Sequence, residues 1–397
     1  GPDQLHGFDH RLTTDIYPAD FAWTPNWEHA DERIDKWYHN MDVLQDAGQA
    51  VTTYQIDYDE EVGFAARRHL LDMARDTDER PFFMVASFIH PHDPYVARPE
   101  WWSLYANDDI DMPDLLDPAD MDPHTARIHH GIEADAVGFT PEQTRNARHG
   151  YYANTSYFDH WVGSLVRTVE ETGQLDNTVV IVVSDHGDML GDRGVWFKMS
   201  FHERSARVPL IMAGPGIESG SVGNACSHLD LLPTLLDIAS DSGQTPEVSV
   251  ELDGRSLWDA ASGGLEQPDE TFGEYCGEMT SHPMFMIRRG DFKYIHCDSD
   301  PALLFNVDQD PLERNNLAGH PGHAELASAF AAEVDSRWDS DAIRGRVLQS
   351  QRDRRTLHAA MSQGPLNSWD YEPVRDAANI YVRNHMDWAE AGDRSRL

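Results

Sequence analysis

Lysine is almost missing from this chain. The 397 residues hold three, Lys36, Lys198 and Lys293, so nearly all strong positive charge is arginine. Basic residues are scarce altogether, 31 against 69 acidic ones, and the formal net charge is −38. Such a surface repels phosphate backbones and anionic headgroups, which excludes nucleic acid and anionic membranes as partners. The acids are spread along the chain, as in Asp108-Asp109-Ile110-Asp111 and Asp298-Ser299-Asp300. A diffuse acidic surface with so little lysine implies a protein kept soluble at high salt, from a halophilic source. Cysteine is sparse too. Cys226, Cys276 and Cys297 form no spaced motif. That odd count argues against a disulfide framework and for a reducing, cytoplasmic compartment. No run of about 18 apolar residues occurs, so no membrane span is expected. No signal peptide is visible, in a sequence that opens on Gly-Pro. Internal repeats and low-complexity tracts are absent.

What is present centres on residues 179–198, Val-Val-Ile-Val-Val-Ser-Asp-His-Gly-Asp-Met-Leu-Gly-Asp-Arg-Gly-Val-Trp-Phe-Lys. The five β-branched residues predict a strand buried on both faces, hence a parallel strand of an α/β sheet. Ligands of open α/β sheets bind at carboxyl ends of strands. Asp185 and His186 stand at that end, and a carboxylate beside an imidazole suits a divalent cation. Gly187 allows a sharp turn or a close approach. Lys198, one of so few lysines, follows as a candidate contact for an anionic substrate or a departing oxygen.

In chain order, residues 1 to about 58 are loop-like and rich in aromatics, including Trp23, Trp27 and Trp37. Such rings fill a satellite core or hold a quaternary ammonium. Residues 59–76 carry an amphipathic pattern through Val62, Phe64, Ala65, Leu70, Leu71 and Ala74 and predict a helix. Pro81–Ile89 predicts a second buried strand, ending at His90-Pro91-His92-Asp93-Pro94, where the histidines suit hydrogen bonding to a bound anion better than metal ligation. Residues 107–140 read as an aperiodic surface excursion. Thr140-Pro141 starts a helix that runs to about Thr172. A strand at Val208–Ala213 and a helix from about Asp230 to Ala239 complete an alternation expected of a doubly wound sheet. Beyond about residue 269 a hairpin turns at Arg288-Arg289-Gly290-Asp291. Residues 324 to about 360 look helical.

The stretch Ser184 to Lys198 resembles a metal-site motif of the sulfatases, within the alkaline phosphatase superfamily. Ser205-Ala206-Arg207-Val208-Pro209-Leu210 continues the likeness, as do Ser227-His228-Leu229-Asp230-Leu231-Leu232-Pro233-Thr234 and Leu304-Phe305-Asn306-Val307-Asp308. The opening Gly1-Pro2-Asp3-Gln4-Leu5-His6-Gly7-Phe8, the Phe88-to-Tyr95 loop and Arg383-Asn384-His385-Met386 narrow it to the choline sulfatases. The resemblance covers nearly the whole chain. It implies a mostly parallel sheet between helices in a main domain, residues 1–265, with the first strand or strands missing. A C-terminal subdomain, residues 266–397, would hold a small antiparallel sheet, helices and an oligomerisation tail making a dimer or tetramer. The implied substrate is choline O-sulfate. His90, with His92 second, would contact the sulfate beside Lys198. Trp23, His39 and Glu278 would hold the choline end. Asp185 and His186 would bind a divalent metal, calcium first, with magnesium or manganese as alternatives.

The resemblance also implies a formylglycine nucleophile made in a Cys/Ser-x-Pro/Ala-x-Arg motif. None of the three cysteines stands in that context. The nucleophile and the first metal-binding strand are therefore expected in about 100 residues missing from the N-terminal side, and the 397 residues alone are expected to lack turnover. A phosphonate monoester hydrolase or phosphodiesterase of the same superfamily and an inert truncated homologue are the alternatives.

Overall fold

The computed structural model describes residues 5, 7–13, 24–30, 40–78, 80–240, 248–264 and 268–364. After a short strand β1 (Gly48–Gln49), the Thr53 side chain accepts from the Ile56 amide at 3.1 Å and so caps helix α1 (Tyr54–Met73). The helix begins earlier than its pattern predicts, and its inner face is Ile56, Asp59, Val62, Gly63, Ala66 and Leu70. Phe64 lies on the other side, 64% exposed.

Strand β2 (Val96–Ala97) pairs in parallel with β1 and leads into α2 (Pro99–Trp102). The expected bare excursion at 107–140 is more ordered than predicted. It holds α3 (Pro123–Gly131) and α4 (Ala134–Val137), because Asp122 caps the Thr125 amide and Pro123 is preset for a first turn. Helix α5 (Pro141–Glu171) starts where predicted, with a capping box between Thr140 and Gln143. Gly150 lets α5 close on Tyr95, since a Cβ there would lie 1.9 Å from the Tyr95 carbonyl oxygen. Tyr95, Ile128, Ile132, Ala147, Trp196 and Phe197 share the core cluster behind this contact.

Strand β3 (Val180–Val183) and strand β4 (Leu210–Ala213) follow, with α6 (Glu203–Ala206) between them. Here the structure corrects the sequence reading. The two strands pair antiparallel, Val180 opposite Ala213. Pro81–Ile89 joins no ladder among the described residues. Neither run is buried on both faces; Val183 is 36% and Val85 61% exposed. Both line one cavity of about 2330 Å³, together with Val162 of α5 and Leu235 of α7 (Leu231–Ala239). An apolar run reads as a strand, but its ladder partner is not written in its own periodicity.

A short helix α8 (Trp258–Ala261) precedes the C-terminal sheet. Its strands are β5 (Glu270–Tyr275), β6 (Met284–Arg289), β7 (Phe292–Cys297) and β8 (Asp300–Asn306), antiparallel in that spatial order. The predicted hairpin is β6–β7, turned at Gly290 with φ +54°. One sheet face packs Phe285, Ile287, Tyr294 and Leu304 on Phe330 and Val334 of α9 (Ala324–Arg337). The helical run ends there because Asp339 caps a separate helix, α10 (Ser340–Met361).

A buried charge knot fastens this sheet to earlier residues. Lys293 Nζ lies 2.5 Å from Glu313 Oε1 and 2.8 Å from Glu203 Oε1. His202 stands between Glu313, at 3.3 Å, and Asp122, at 3.5 Å. Arg193 donates to the Glu313 carbonyl at 2.8 Å. Among the described residues no helix is long and apolar enough to cross a membrane.

Candidate active site at the end of strand β3

Beyond Val183 the chain turns sharply. The Ser184 hydroxyl donates to the His186 carbonyl, and the Gly187 amide donates to the Ser205 carbonyl, both at 2.7 Å. A Cβ on Gly187 would sit 2.1 Å from the Arg204 carbonyl oxygen, so only glycine passes here. The turn puts Asp185 and His186 side by side, Nε2 to Oδ2 3.5 Å.

His186 Nδ1 pairs with the Gly187 carbonyl at 2.8 Å, which assigns the proton to Nδ1 and the lone pair to Nε2. Burial, then the Lys198 charge, hold its pKa below the ordinary value, so the ring is neutral at pH 7. A neutral imidazole nitrogen beside an exposed carboxylate suits a divalent cation, and a hydrogen bond at the far nitrogen orients such a ligand. The pair is part of a shell only. Among the described residues no three His, Cys, Asp or Glu side chains converge to hold an ion.

Lys198 faces this pair. Its Nζ donates to His92 Nε2 at 3.1 Å, and His92 Nδ1 pairs with Asp93 at 3.0 Å. Burial, then Lys198, lower the His92 pKa, so the lysine rests on a neutral acceptor. Burial pushes the Asp93 carboxyl up to about 6 against the opposing pull of Lys198. Lys198 stands between two residues in the left-handed region, Phe197 at φ +67° and Met199 at φ +74°. That backbone is costly for residues with a Cβ. It is held by the Phe197 amide on Asp188 at 3.1 Å and by His124 on the Met199 carbonyl at 2.7 Å.

His90 lines the same cavity and is 4% exposed. Its Nδ1 lies 2.7 Å from Asp59 Oδ2, while its Nε2 has no hydrogen-bond partner. Glu278 is half-buried. Burial raises its pKa, and the charge of Lys198 pulls the other way. Its peptide is held by Tyr275, whose hydroxyl donates to the Glu278 carbonyl at 2.9 Å, and by Trp27, whose indole donates to Gly277 at 2.8 Å. Trp23 and His39 lie outside the described residues.

The structure thus sets Asp185 beside His186 at the strand end, with the Lys198 charge acting on His186 and on Glu278. His90 lines the same large cavity as Asp185, His186 and Lys198, and Glu278 does not line it. Sequence reasoning missed Asp59, and it missed Asp188, which is a buried strut. Asp188 accepts from the Tyr95 hydroxyl at 2.6 Å and the Leu190 amide at 2.9 Å. Their signal was helix phase for Asp59 and the strand-end motif itself for Asp188. One serine, in Ser340-Asp341-Ala342-Ile343-Arg344, has the spacing of a nucleophile motif. It opens α10, bonds to Asp298 and does not line the cavity.

Sheets flanked by helices, with carboxylate, imidazoles and an ammonium at a strand end, suit a hydrolase, and the comparisons place the chain in the alkaline phosphatase superfamily. Phosphonate monoester hydrolases share the fold. That from Silicibacter pomeroyi is 24% identical, with TM-score 0.60 over 78% of this chain and 67% of its own. That from Agrobacterium radiobacter is 21% identical, with TM-score 0.60 over 78% and 65%. The chain belongs to the sulfatase family, whose model matches residues 10–242. A model described as choline sulfatase enzyme C terminal matches residues 345–397. The choline-sulfatase of Rhizobium meliloti (strain 1021) is 44% identical over 98% of this chain and 77% of its own length. Arylsulfatase K of Danio rerio is 33% identical over 56% of this chain and 43% of its own.

Proposed function

We propose that this protein hydrolyses choline O-sulfate to choline and sulfate. The observation that carries the reading is the 44% identity with a choline-sulfatase over 98% of this chain. To it the ammonium of Lys198 and the carboxyl group of Glu278, on which that ammonium acts, add groups of opposite sign. Choline sulfate has opposite charges at its two ends. Lys198 meets a sulfuryl oxygen, and His90 Nε2 meets the ester oxygen. Glu278 meets the quaternary ammonium, and the rings of Trp23 and His39 add π faces to it. The likeness to a choline-sulfatase over nearly the whole chain supports the same substrate.

Sulfatases work with a divalent cation, which offsets charge on the sulfuryl oxygens when bound. Asp185 and His186 Nε2 would hold part of its shell, and calcium, ahead of magnesium or manganese, is the ion we propose. The nucleophile we propose is the formylglycine of the family. This chain's residues bind and orient the ester, and His90 gives a proton to the departing choline oxygen. We further propose a dimer or tetramer through the C-terminal region, in the cytoplasm; sedimentation of the protein with and without residues 365–397 tests the assembly.

A phosphonate monoester hydrolase is the second reading, favoured by the shared fold alone. Its substrate gives Glu278 no cation to meet. Steady-state kinetics of the full-length protein on choline sulfate and on phenyl phosphonate separate the two. The choline ester is expected to lead in kcat/KM by on the order of tenfold or more, about the worth of a desolvated cation–π contact. A preference for the phosphonate would overturn the reading.

A further inference from the structure

Asp59 is the carboxylate on the buried face of α1, wholly excluded from solvent, while Asp57 and Glu61 beside it are not buried. A lone buried carboxylate is costly, so its partners matter. It accepts from the Ile89 amide at 2.8 Å, the His90 amide at 3.1 Å and His90 Nδ1 at 2.7 Å. Two of these bonds tie down the end of the Pro81–Ile89 run. The third fixes the proton of His90 on Nδ1, because a carboxylate only accepts. Nε2 is then the one position through which His90 can act. It is buried, has no hydrogen-bond partner, and belongs to a residue lining the cavity of the site. The Tyr157 ring stands edge-on to the imidazole at 5.3 Å and limits its rotation.

We propose that Asp59 is the positioning residue of His90: it sets the tautomer, aims Nε2 at the ester oxygen, and stabilises the imidazolium that donates there. The inference deepens the choline-sulfate reading and rests on it. As the S–O ester bond breaks, its electron pair stays on the choline oxygen, which takes the Nε2 proton. The sulfuryl group passes to the attacking oxygen. His90 is left neutral, still donating Nδ1–H to Asp59, and recovers its proton from the water that completes hydrolysis. An Asp–His pair does this work wherever an imidazole must be held in one tautomer, and losing the carboxylate charge there costs orders of magnitude in rate.

The test uses the full-length protein. Nitrogen-15 NMR of the His90 ring in the parent should show Nδ1 protonated, a result that needs no substrate and no variant. Asp59→Asn keeps the shape and an acceptor for the backbone amides but removes the charge. It should lower kcat on choline sulfate by roughly 10²- to 10⁴-fold with KM little changed. The loss on nitrophenyl sulfate, whose leaving group needs no proton, should be at least about tenfold smaller. His90→Gln should show the same split, and the double variant should be no worse than His90→Gln alone. Asp59→Glu, which keeps the charge, should recover part of the rate and keeps the kinetic test open if the asparagine variant does not fold. A parent in which Nδ1 carries no proton, equal losses on both esters, or additive losses in the double variant would overturn the proposal. A parent that prefers phenyl phosphonate instead sinks the substrate reading and leaves the tautomer result standing.

Discussion

Lys198 is the residue on which the most chemistry converges, and its setting shows what its loss should do. Its ammonium rests on a neutral imidazole and is aimed by a backbone strained on both sides. A donor preorganised for charge that builds in the transition state acts on kcat and on kcat/KM together. Lys198→Ala should therefore cost on the order of 3 kcal/mol, a hundredfold or more in kcat, with KM little changed. On the proposed contact with a sulfuryl oxygen, the loss should be alike for choline and nitrophenyl sulfates. Lys198→Arg should rescue in part, since a planar guanidinium cannot occupy the same point. Near-normal turnover of the alanine variant would return Lys198 to the role of a surface charge. Glu278→Gln makes a contrasting prediction. It should raise KM for choline sulfate by about tenfold, as loss of a partly desolvated charge pair does. KM for an uncharged-tail alkyl sulfate should stay put, and an equal change for both would deny Glu278 the ammonium. The placement of Asp185 and His186 at the strand end, with Lys198 acting on His186, was legible because type and place agree: a strand-end carboxylate, an adjacent imidazole, a rare lysine. Asp59 was not, because it sits in Asp57-Tyr58-Asp59-Glu60-Glu61, where only the phase of the helix tells an inward acid from its neighbours. Placing the start of α1 at its Thr53 cap, rather than at residue 59, would have given that phase.

At the scale of elements, the hairpin β6–β7, the capped helix α5 and helix α7 were legible from local signals: a Gly-Asp turn, a Thr-Pro start, a short apolar period. The pairing of β3 with β4 was not, because ladders are chosen by tertiary partners. The charge knot between the C-terminal sheet and residues 122, 193 and 202 was equally hidden, its members lying up to 191 positions apart in number, from Asp122 to Glu313. Burial alone would raise the Glu313 pKa, but Lys293 and His202 bring it down to about 2. Burial would lower that of His202, but Glu313 and Asp122 hold it above the ordinary value. The signs follow from linkage. The carboxylate contributes stability above its unfolded value of 4.5 and loses it as pH falls toward 2. The histidine contributes below its unfolded value of 6.5 and loses it as pH rises through its raised folded value. The knot should hold best between pH 4.5 and 6.5. Glu313→Gln leaves Lys293 and His202 short of a buried counter-charge and should cost about 3–5 kcal/mol in urea unfolding at pH 6. It should also flatten the loss of stability expected above pH 6.5, as pH rises through the raised value of the parent's His202. A change under about 1 kcal/mol would mean that water or rearrangement already screens the knot.

Over the whole molecule the dominant fact is a net charge of −38 with three lysines. Like charges at that density repel, which keeps the protein soluble but works against the compact state. Salt shortens their reach, from about 10 Å at 0.1 M to about 3 Å at 1 M. The melting temperature should therefore rise between 0.1 and 2 M potassium chloride, and a flat or falling curve would remove the halophilic reading. The same field also acts on substrates before they reach Lys198. A sulfate monoester with a neutral tail carries one negative charge and must approach a strongly negative surface, so its association is slowed by repulsion. Choline sulfate carries a quaternary ammonium as well and is neutral overall. The field of the protein should leave its approach nearly unchanged and, in the proposed binding mode, turn it at close range, cation toward Glu278 and anion toward Lys198. Screening should thus affect the two substrates differently. Raising potassium chloride from about 0.05 to 0.5 M should leave kcat/KM for choline sulfate within about twofold, while kcat/KM for nitrophenyl sulfate rises several-fold. The ratio of the two is the quantity to measure, because any effect of salt on folding or on the catalytic groups divides out. Equal salt dependence for both esters would show that the acidic surface exerts no field at the site, and that choice between them rests on contacts inside the pocket alone.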